Sequence, residues 1–170
     1  MDLASLIRDI PDFPKPGIIF KDITTLIAHP KGFKEAVDRI AERFKNTGIH
    51  SVLAVEARGY IFGGAIAHEM GIGLIIVRKP GKLPYKTKSI SYELEYGTDT
   101  LCIHEDSIAP GQKILLVDDL LATGGTAKAV CKLIEQMGGQ VAACSFVIEL
   151  DFLKGRENLA GYDVFSLIHF

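Results

Sequence analysis

The sequence predicts an α/β fold, a mainly parallel sheet flanked by helices, and two stretches carry that prediction. In SVLAVEARGYIFGGAIAHEMGIGLIIV, residues 51–77, a β-rich apolar run gives way to a glycine-initiated helical segment from about Tyr60 to Met70. A second apolar run follows from Ile72 to Val77. In the other stretch, QKILLVDD at residues 112–119 leads to helical spacing from Thr126 to Met137 and then to QVAACSFVIEL at residues 140–150. Strands joined by helices through right-handed crossovers place helices on both faces of a parallel sheet. The length of 170 residues and 48% hydrophobic content suit a single core.

Along the chain, residues 1–30 carry Pro11, Pro14, Pro16, Gly17 and Pro30, which break long regular elements. A short helix from Leu3 to Ile10 is expected there, lying against the main body and outside its core. From Gly32 to Phe44, Phe33, Ala36, Val37, Ile40, Ala41 and Phe44 recur at helical spacing with charged residues between them, as in an amphipathic surface helix. The polar stretch YKTKSISYELEYGTDTLCIHEDS, residues 85–107, reads as two exposed antiparallel strands or a long mobile excursion, and its polarity argues against burial. VFSLIHF, residues 164–170, supplies a last strand. Strand order does not follow from the pattern.

A net charge of -2 gives no bulk attraction to nucleic acid or anionic lipid, so neither partner is expected. The opening MDLASLIRDIPDF carries acids where a secretory leader is basic, and no run of eighteen apolar residues occurs. A soluble cytoplasmic protein is the expectation. Cys102, Cys131 and Cys144 lack C-x-x-C spacing and lie in apolar surroundings, which favours buried free thiols over disulfides or zinc ligands.

The chemistry concentrates in VDDLLATGGT, residues 117–126. By the parse above, Asp118 and Asp119 fall at the carboxyl end of a strand, where open α/β sheets bind ligands. Two acids there can simply cap the following turn, accept hydrogen bonds from vicinal sugar hydroxyls, or act on magnesium through its water shell. The backbone amides of Ala122, Thr123, Gly124, Gly125 and Thr126, at the start of a helix, form an anion cradle. One ligand with a sugar and a phosphate satisfies both halves. The triphosphate loop G-x-x-x-x-G-K-[ST] is not matched, and GIGLII lacks the third glycine and leads into a strand, unlike a dinucleotide fingerprint. No serine-histidine-acid order or H-E-x-x-H motif is present.

Cations follow the other strands. Arg58 precedes a glycine at a predicted strand end, well placed for phosphate or else an ordinary surface arginine. Arg78, Lys79 and Lys82 follow the next strand and suit a polyanion. Lys86 and Lys88 fit a basic flexible loop equally well.

FPKPGIIFKDIT, EARGYIFGGAIA, VRKPGKLP, YELEYG and VDDLLATGGT together resemble the adenine phosphoribosyltransferases, within the type I phosphoribosyltransferase family, over nearly the whole chain. The resemblance implies the type I fold, with an N-terminal hood (residues 1–30) contributing to the base pocket. It also implies a core (31–170) with a mobile catalytic loop at about 82–100. It further implies magnesium-dependent transfer of 5-phosphoribosyl from phosphoribosyl pyrophosphate to adenine, giving AMP and pyrophosphate, by a homodimer. By the same resemblance, Asp118 and Asp119 bind the ribose hydroxyls, and Ala122 to Thr126 hold the 5-phosphate. Glu56, Ala57, Arg58 and Gly59, with Arg78, Lys79 and Lys82, bind pyrophosphate, and the Glu56–Ala57 peptide is cis. Ile19, Phe20 and Lys21 meet adenine, and Glu95 is catalytic. Read without the family, Glu93 and Glu95 share one face of an alternating strand and can merely solvate it, and Phe20 can be core packing. No protein ligand for magnesium stands out, so the ion is expected on the donor and water. Another base, or a non-catalytic sensor of the same donor, remains a competing function.

Overall fold

The sheet owes its parallel order to strands that bury both faces. In the computed structural model, which describes residues 1–94 and 97–170, β1 (Arg8–Pro11), β2 (Ile19–Asp22), α1 (Thr24–Ala28) and α2 (Pro30–Phe44) precede β3 (Ser51–Val55). Then come α3 (Gly59–Met70), β4 (Gly73–Val77), β5 (Thr87–Glu93), β6 (Thr98–His104) and β7 (Lys113–Leu121). The chain continues through α4 (Gly125–Gln136), β8 (Gln140–Glu149) and β9 (Val164–His169). The five-stranded central sheet has the order β4-β3-β7-β8-β9, parallel throughout. β1-β2 and β5-β6 form separate antiparallel pairs.

Alternate side chains feed two cores. On one face Val52, Leu115, Val117 and Val147 pack with α2 and α3; on the other Leu53, Val55, Leu116, Cys144 and Phe146 pack with α4. That is why β3 and β7 read as continuous apolar runs with no alternation. Helix α2 presents Ala36, Val37, Ile40, Ala41 and Phe44 inward, while Lys34–Asp38 and Arg39–Glu35 pair across the solvated side. Its start is fixed by Pro30 in the first turn and by His29, whose Nδ1 accepts the Gly32 amide at 2.9 Å.

Several expectations change. No helix spans Leu3 to Ile10: a 3-10 turn covers Ala4–Leu6 and the chain then extends as β1. Pro11 biases the residue before it toward extended backbone, and β2 offers Arg8 to Pro11 a ladder from Asp22 to Ile19. Leu3, Ile23 and Leu26 are buried in the α2–α3 core, so this segment helps to form the core it was expected only to lie against. The stretch after β4 is an antiparallel pair, as one reading had it, but it is not wholly exposed. Leu101, Cys102 and Ile103 of β6 are buried, because β6 joins the end of β4 through the Arg78–Cys102 bridge and packs under α4. β7 runs on past both acids, pairing Leu120 and Leu121 with Ile148 and Glu149.

The three cysteines are free and buried, with the Cys131 and Cys144 sulfurs 3.5 Å apart. Among the described residues no helix is long and apolar enough to cross a membrane.

Leu3→Ala tests whether the N-terminal segment belongs to the core. Leu3 is 3% exposed, and truncating a buried leucine costs about 2–5 kcal/mol. Urea unfolding is expected to show a loss in that range, whereas a side chain merely resting on the surface loses well under 1 kcal/mol.

Candidate functional site

The carboxyl ends of β3 and β7 open on a cavity of about 310 Å³ where Glu56, Arg58, Lys79, Asp118, Asp119 and Thr126 converge with Tyr92 and Asp99. A larger hollow of about 680 Å³ lies between α2 and the end of α3. It is walled by solvated charges such as Lys34, Glu42 and Glu69, and none of the converging groups reaches it.

Two close approaches build the cavity. α3 begins directly behind β7, and a Cβ on Gly59 would lie 2.8 Å from Asp118 Oδ1 and 3.3 Å from the Val117 carbonyl oxygen. Only glycine lets the turn after β3 come so near the acids. On the far side, Gly124 has φ +83° and a Cβ there would meet the Gly155 carbonyl oxygen at 2.5 Å. The loop from Ala122 to Thr126 is therefore pressed against residues 155–158, where Asn158 Nδ2 donates to the Thr123 carbonyl at 2.7 Å. This loop bounds a smaller adjoining hollow, of about 100 Å³, that Asp118 and Phe146 also line.

The charges of the cavity pair among themselves. Arg58 Nε donates to Asp119, and that bond holds the guanidinium in its charged form beyond its ordinary range. Glu56 accepts from the Lys79 amide and from Arg78 Nη2 at 3.4 Å, next to a cis Glu56–Ala57 peptide. Lys79 Nζ bonds Asp99. Arg78 Nε is buried without a hydrogen-bond partner among the described residues. Asp118 Oδ1 accepts the Asp119 amide at 2.9 Å. Protein atoms surround its carboxyl even though one side faces the cavity, and burial first, then the neighbouring Asp119 charge, raises its pKa well above the ordinary value. Tyr60 donates to the Val77 carbonyl at 2.7 Å, and burial pushes its hydroxyl up to about 12.

Not every expected residue reaches this cavity. Lys82 is exposed, and its contact is a carbonyl that accepts from Arg78 Nη1 at 3.3 Å. Ile19, Phe20 and Lys21 sit together on β2 but outside the cavity wall. Phe20 stacks edge-on with Phe13 at 5.3 Å, and Lys21 lies 4.0 Å over the Phe170 ring while pairing with Asp9 at 2.7 Å. Glu95 lies outside the described residues; the flanking strands bring Tyr92 opposite Asp99. Sequence reasoning missed Asn158, Tyr92 and Asp99. The pairing of Tyr92 with Asp99 was open to prediction from the hairpin about Gly97, whereas Asn158 carries no local signal.

For magnesium, the donor set decides. Among the described residues Asp118 and Asp119 do not belong to a group of three with metal-ligand spacing. Among the described residues the group with metal-ligand spacing is Glu149, Asp151 and His169. There Glu149 already takes a bidentate Arg156 guanidinium at 2.8 Å, which opposes a cation.

Residues 22–168 match the family described as Phosphoribosyl transferase domain. The adenine phosphoribosyltransferase of Chloroflexus aurantiacus is 59% identical over 169 residues, covering 99% of this chain and 98% of its own. This chain belongs to the adenine phosphoribosyltransferase family. The fold agrees: the crystal structure of the family member from Thermoanaerobacter pseudethanolicus superposes with a TM-score of 0.96 at 50% identity, covering 99% of this chain and 98% of that one. The Saccharomyces cerevisiae member, solved with an imino-altritol bisphosphate and adenine, gives 0.91 at 37% identity over 98% and 96%.

The raised Asp118 pKa carries a stability consequence. The folded chain holds that proton to a higher pH than the unfolded chain does, so stability is lost as pH rises from the unfolded value, about 4, through the raised folded one. Asp118→Asn removes this burden. The variant is expected to melt above the parent at pH 7, with the gap closing below about pH 4. Parallel melting curves that keep a constant gap across pH would count against a buried, strained carboxyl.

Proposed function

We propose that this chain transfers 5-phosphoribosyl from phosphoribosyl pyrophosphate to adenine, with the pyrophosphate donor seated in the β3–β7 cavity. The observation that carries the placement is the convergence there of paired acids with cations whose partners are themselves carboxylates. The family relation supplies the activity, and the yeast relative's bisphosphate and adenine supply the ligand chemistry.

In this reading Asp118 and Asp119 accept hydrogen bonds from the ribose 2- and 3-hydroxyls. The amides from Ala122 to Thr126, at the start of α4, hold the 5-phosphate. Glu56 to Gly59 with Arg78, Lys79 and Lys82 form the pyrophosphate side, and donor binding exchanges partners: phosphate draws Arg58 off Asp119, which leaves that carboxylate for the sugar. A magnesium ion carried in on the donor would lie near Asp118 and Asp119 and would screen the charge of the leaving pyrophosphate. The anomeric carbon loses its bond to the pyrophosphate oxygen, which keeps the electron pair, and adenine nitrogen forms the new bond. The purine proton passes to a carboxylate acting as general base, the role of Glu95. Ile19, Phe20 and Lys21 on β2 wall the base, in a hood formed by residues 1–30, and closure of the segment at about 82–100 excludes water so that transfer outruns hydrolysis.

A cytoplasmic homodimer completes the reading. It is supported by β4, an edge strand that leaves Leu74 41% and Ile76 37% exposed.

The test is magnesium-dependent pyrophosphate release with adenine, hypoxanthine, guanine, xanthine and orotate in turn. Adenine alone is expected to serve, and equal use of an oxopurine would reject the base assignment. Glu95→Gln is expected to cut single-turnover AMP formation about 10^2- to 10^4-fold with donor binding retained. Phe20→Leu is expected to impair use of adenine more than calorimetric binding of the donor. Unchanged kinetics in either variant would remove that residue from the site.

A further inference from the structure

The two halves of the donor cavity are joined by side chains that none of the roles above uses. Tyr92, on β5, has its hydroxyl 3.2 Å from Thr126 Oγ1, in the loop assigned to the 5-phosphate. The same hydroxyl donates to Asp99 Oδ2 at 3.3 Å, and that oxygen also accepts Lys79 Nζ on the pyrophosphate side. Tyr92 and Asp99 face each other across the β5-β6 pair, one rung before Glu93 and Thr98, beyond which the chain carries Glu95. The hairpin is thus held at two levels. Its root is fixed to the central sheet where Arg78 and Cys102 exchange backbone bonds of 3.0 and 2.7 Å. Its outer end is held by one tyrosine hydroxyl and one carboxylate, each touching a different phosphate-binding group.

We propose that Tyr92 and Asp99 are positioning residues for the transfer, setting the outer end of the β5-β6 hairpin at the cavity by tying it to Thr126 on one side and Lys79 on the other. The inference rests on the functional reading above. A residue serving only to fill space would have no use for a hydroxyl here, since the Tyr92 ring is already part of the core around α4. Burial raises the Tyr92 pKa, which keeps the hydroxyl protonated and able to donate, while the bond from Lys79 lowers that of Asp99 and keeps it an acceptor. The contacts therefore converge on Asp99, which receives from tyrosine and lysine, and with its proton on Asp99 the Tyr92 hydroxyl accepts from Thr126. Thr126 and Lys79 both contact the donor in the functional reading, so the placement of the hairpin depends on the groups that hold the ligand.

The experiment compares the parent, Tyr92→Phe, Asp99→Asn and the double variant in single-turnover AMP formation at saturating adenine and phosphoribosyl pyrophosphate. The amplitude is read separately from the rate, and circular dichroism is run alongside. Tyr92→Phe keeps the ring and Asp99→Asn keeps the shape. Each is expected to slow the rate about ten- to a hundred-fold, the scale of a small misplacement of a catalytic group, with full amplitude. The double variant is expected to be little slower than the slower single one, because both act through one network. A purely structural role would lower amplitude and melting point and leave the rate alone, and that result overturns the proposal. So do rates within about twofold of the parent or fully multiplicative losses. If the parent forms no AMP from adenine, the functional reading fails, and the proposal falls with it. If the parent is active and the variants match it, the proposal alone fails.

Discussion

The approach of the turn after β3 to the end of β7 is the constraint on which the rest of the site depends. Gly59 has no side chain to hold Asp118 away, so the first turn of α3 lies against the two acids and Arg58 reaches Asp119 from the next position. Any Cβ at Gly59 would have to displace a carboxylate oxygen 2.8 Å away or the backbone of β7 itself. Displacing either would break the alignment that brings the pair of acids and the start of α4 to one cavity. The parallel sheet makes the approach possible, because neighbouring strands that run the same way end at the same edge. β3 and β7 are paired from Ser51–Ile114 to Ala54–Val117, so Glu56 to Gly59 leave the sheet beside Asp118 and Asp119, where β7 continues paired only with β8.

That geometry also explains which parts were legible in the sequence. β3, β7 and β8 are recognisable because strands covered on both faces must be apolar at every position, and α2 because one stripe is buried and the other solvated. VDDLLATGGT announces its chemistry since acids and glycines at a strand end have few structural uses together. The N-terminal segment was misread because the apolar spacing of Leu3, Leu6, Ile7 and Ile10 fits a helix, while the partner that makes it a strand, Ile19 to Asp22, is set by tertiary pairing. The burial of β6 was missed for the same reason: Leu101 and Ile103 are two apolar residues in a polar stretch, and only contact with α4 gives them a core. Asn158, which donates to the Thr123 carbonyl from 35 residues away, could not be read locally at all.

The internal pairing of charge sets what the cavity selects. Arg58 and Arg78 each hold a carboxylate, so an anion that reaches them must displace an existing partner. Pairs as open as these are individually worth about 0–1 kcal/mol, while a well-formed hydrogen bond to a charged group contributes about 1.5–3 kcal/mol. One phosphate meeting one cation gains little over the pair it breaks. A pyrophosphate reaches several cations at once, and its surplus accumulates over each exchange. In the proposed reaction the same exchange would favour release of the product pyrophosphate, because Glu56 and Asp119 stand ready to take Arg78 and Arg58 back. A cavity lined by unpaired cations would bind anions more tightly and retain the product pyrophosphate. Carboxylates beside the cations thus suit turnover better than affinity, consistent with the view that binding is useful where it is stronger in the transition state than in the complexes on either side.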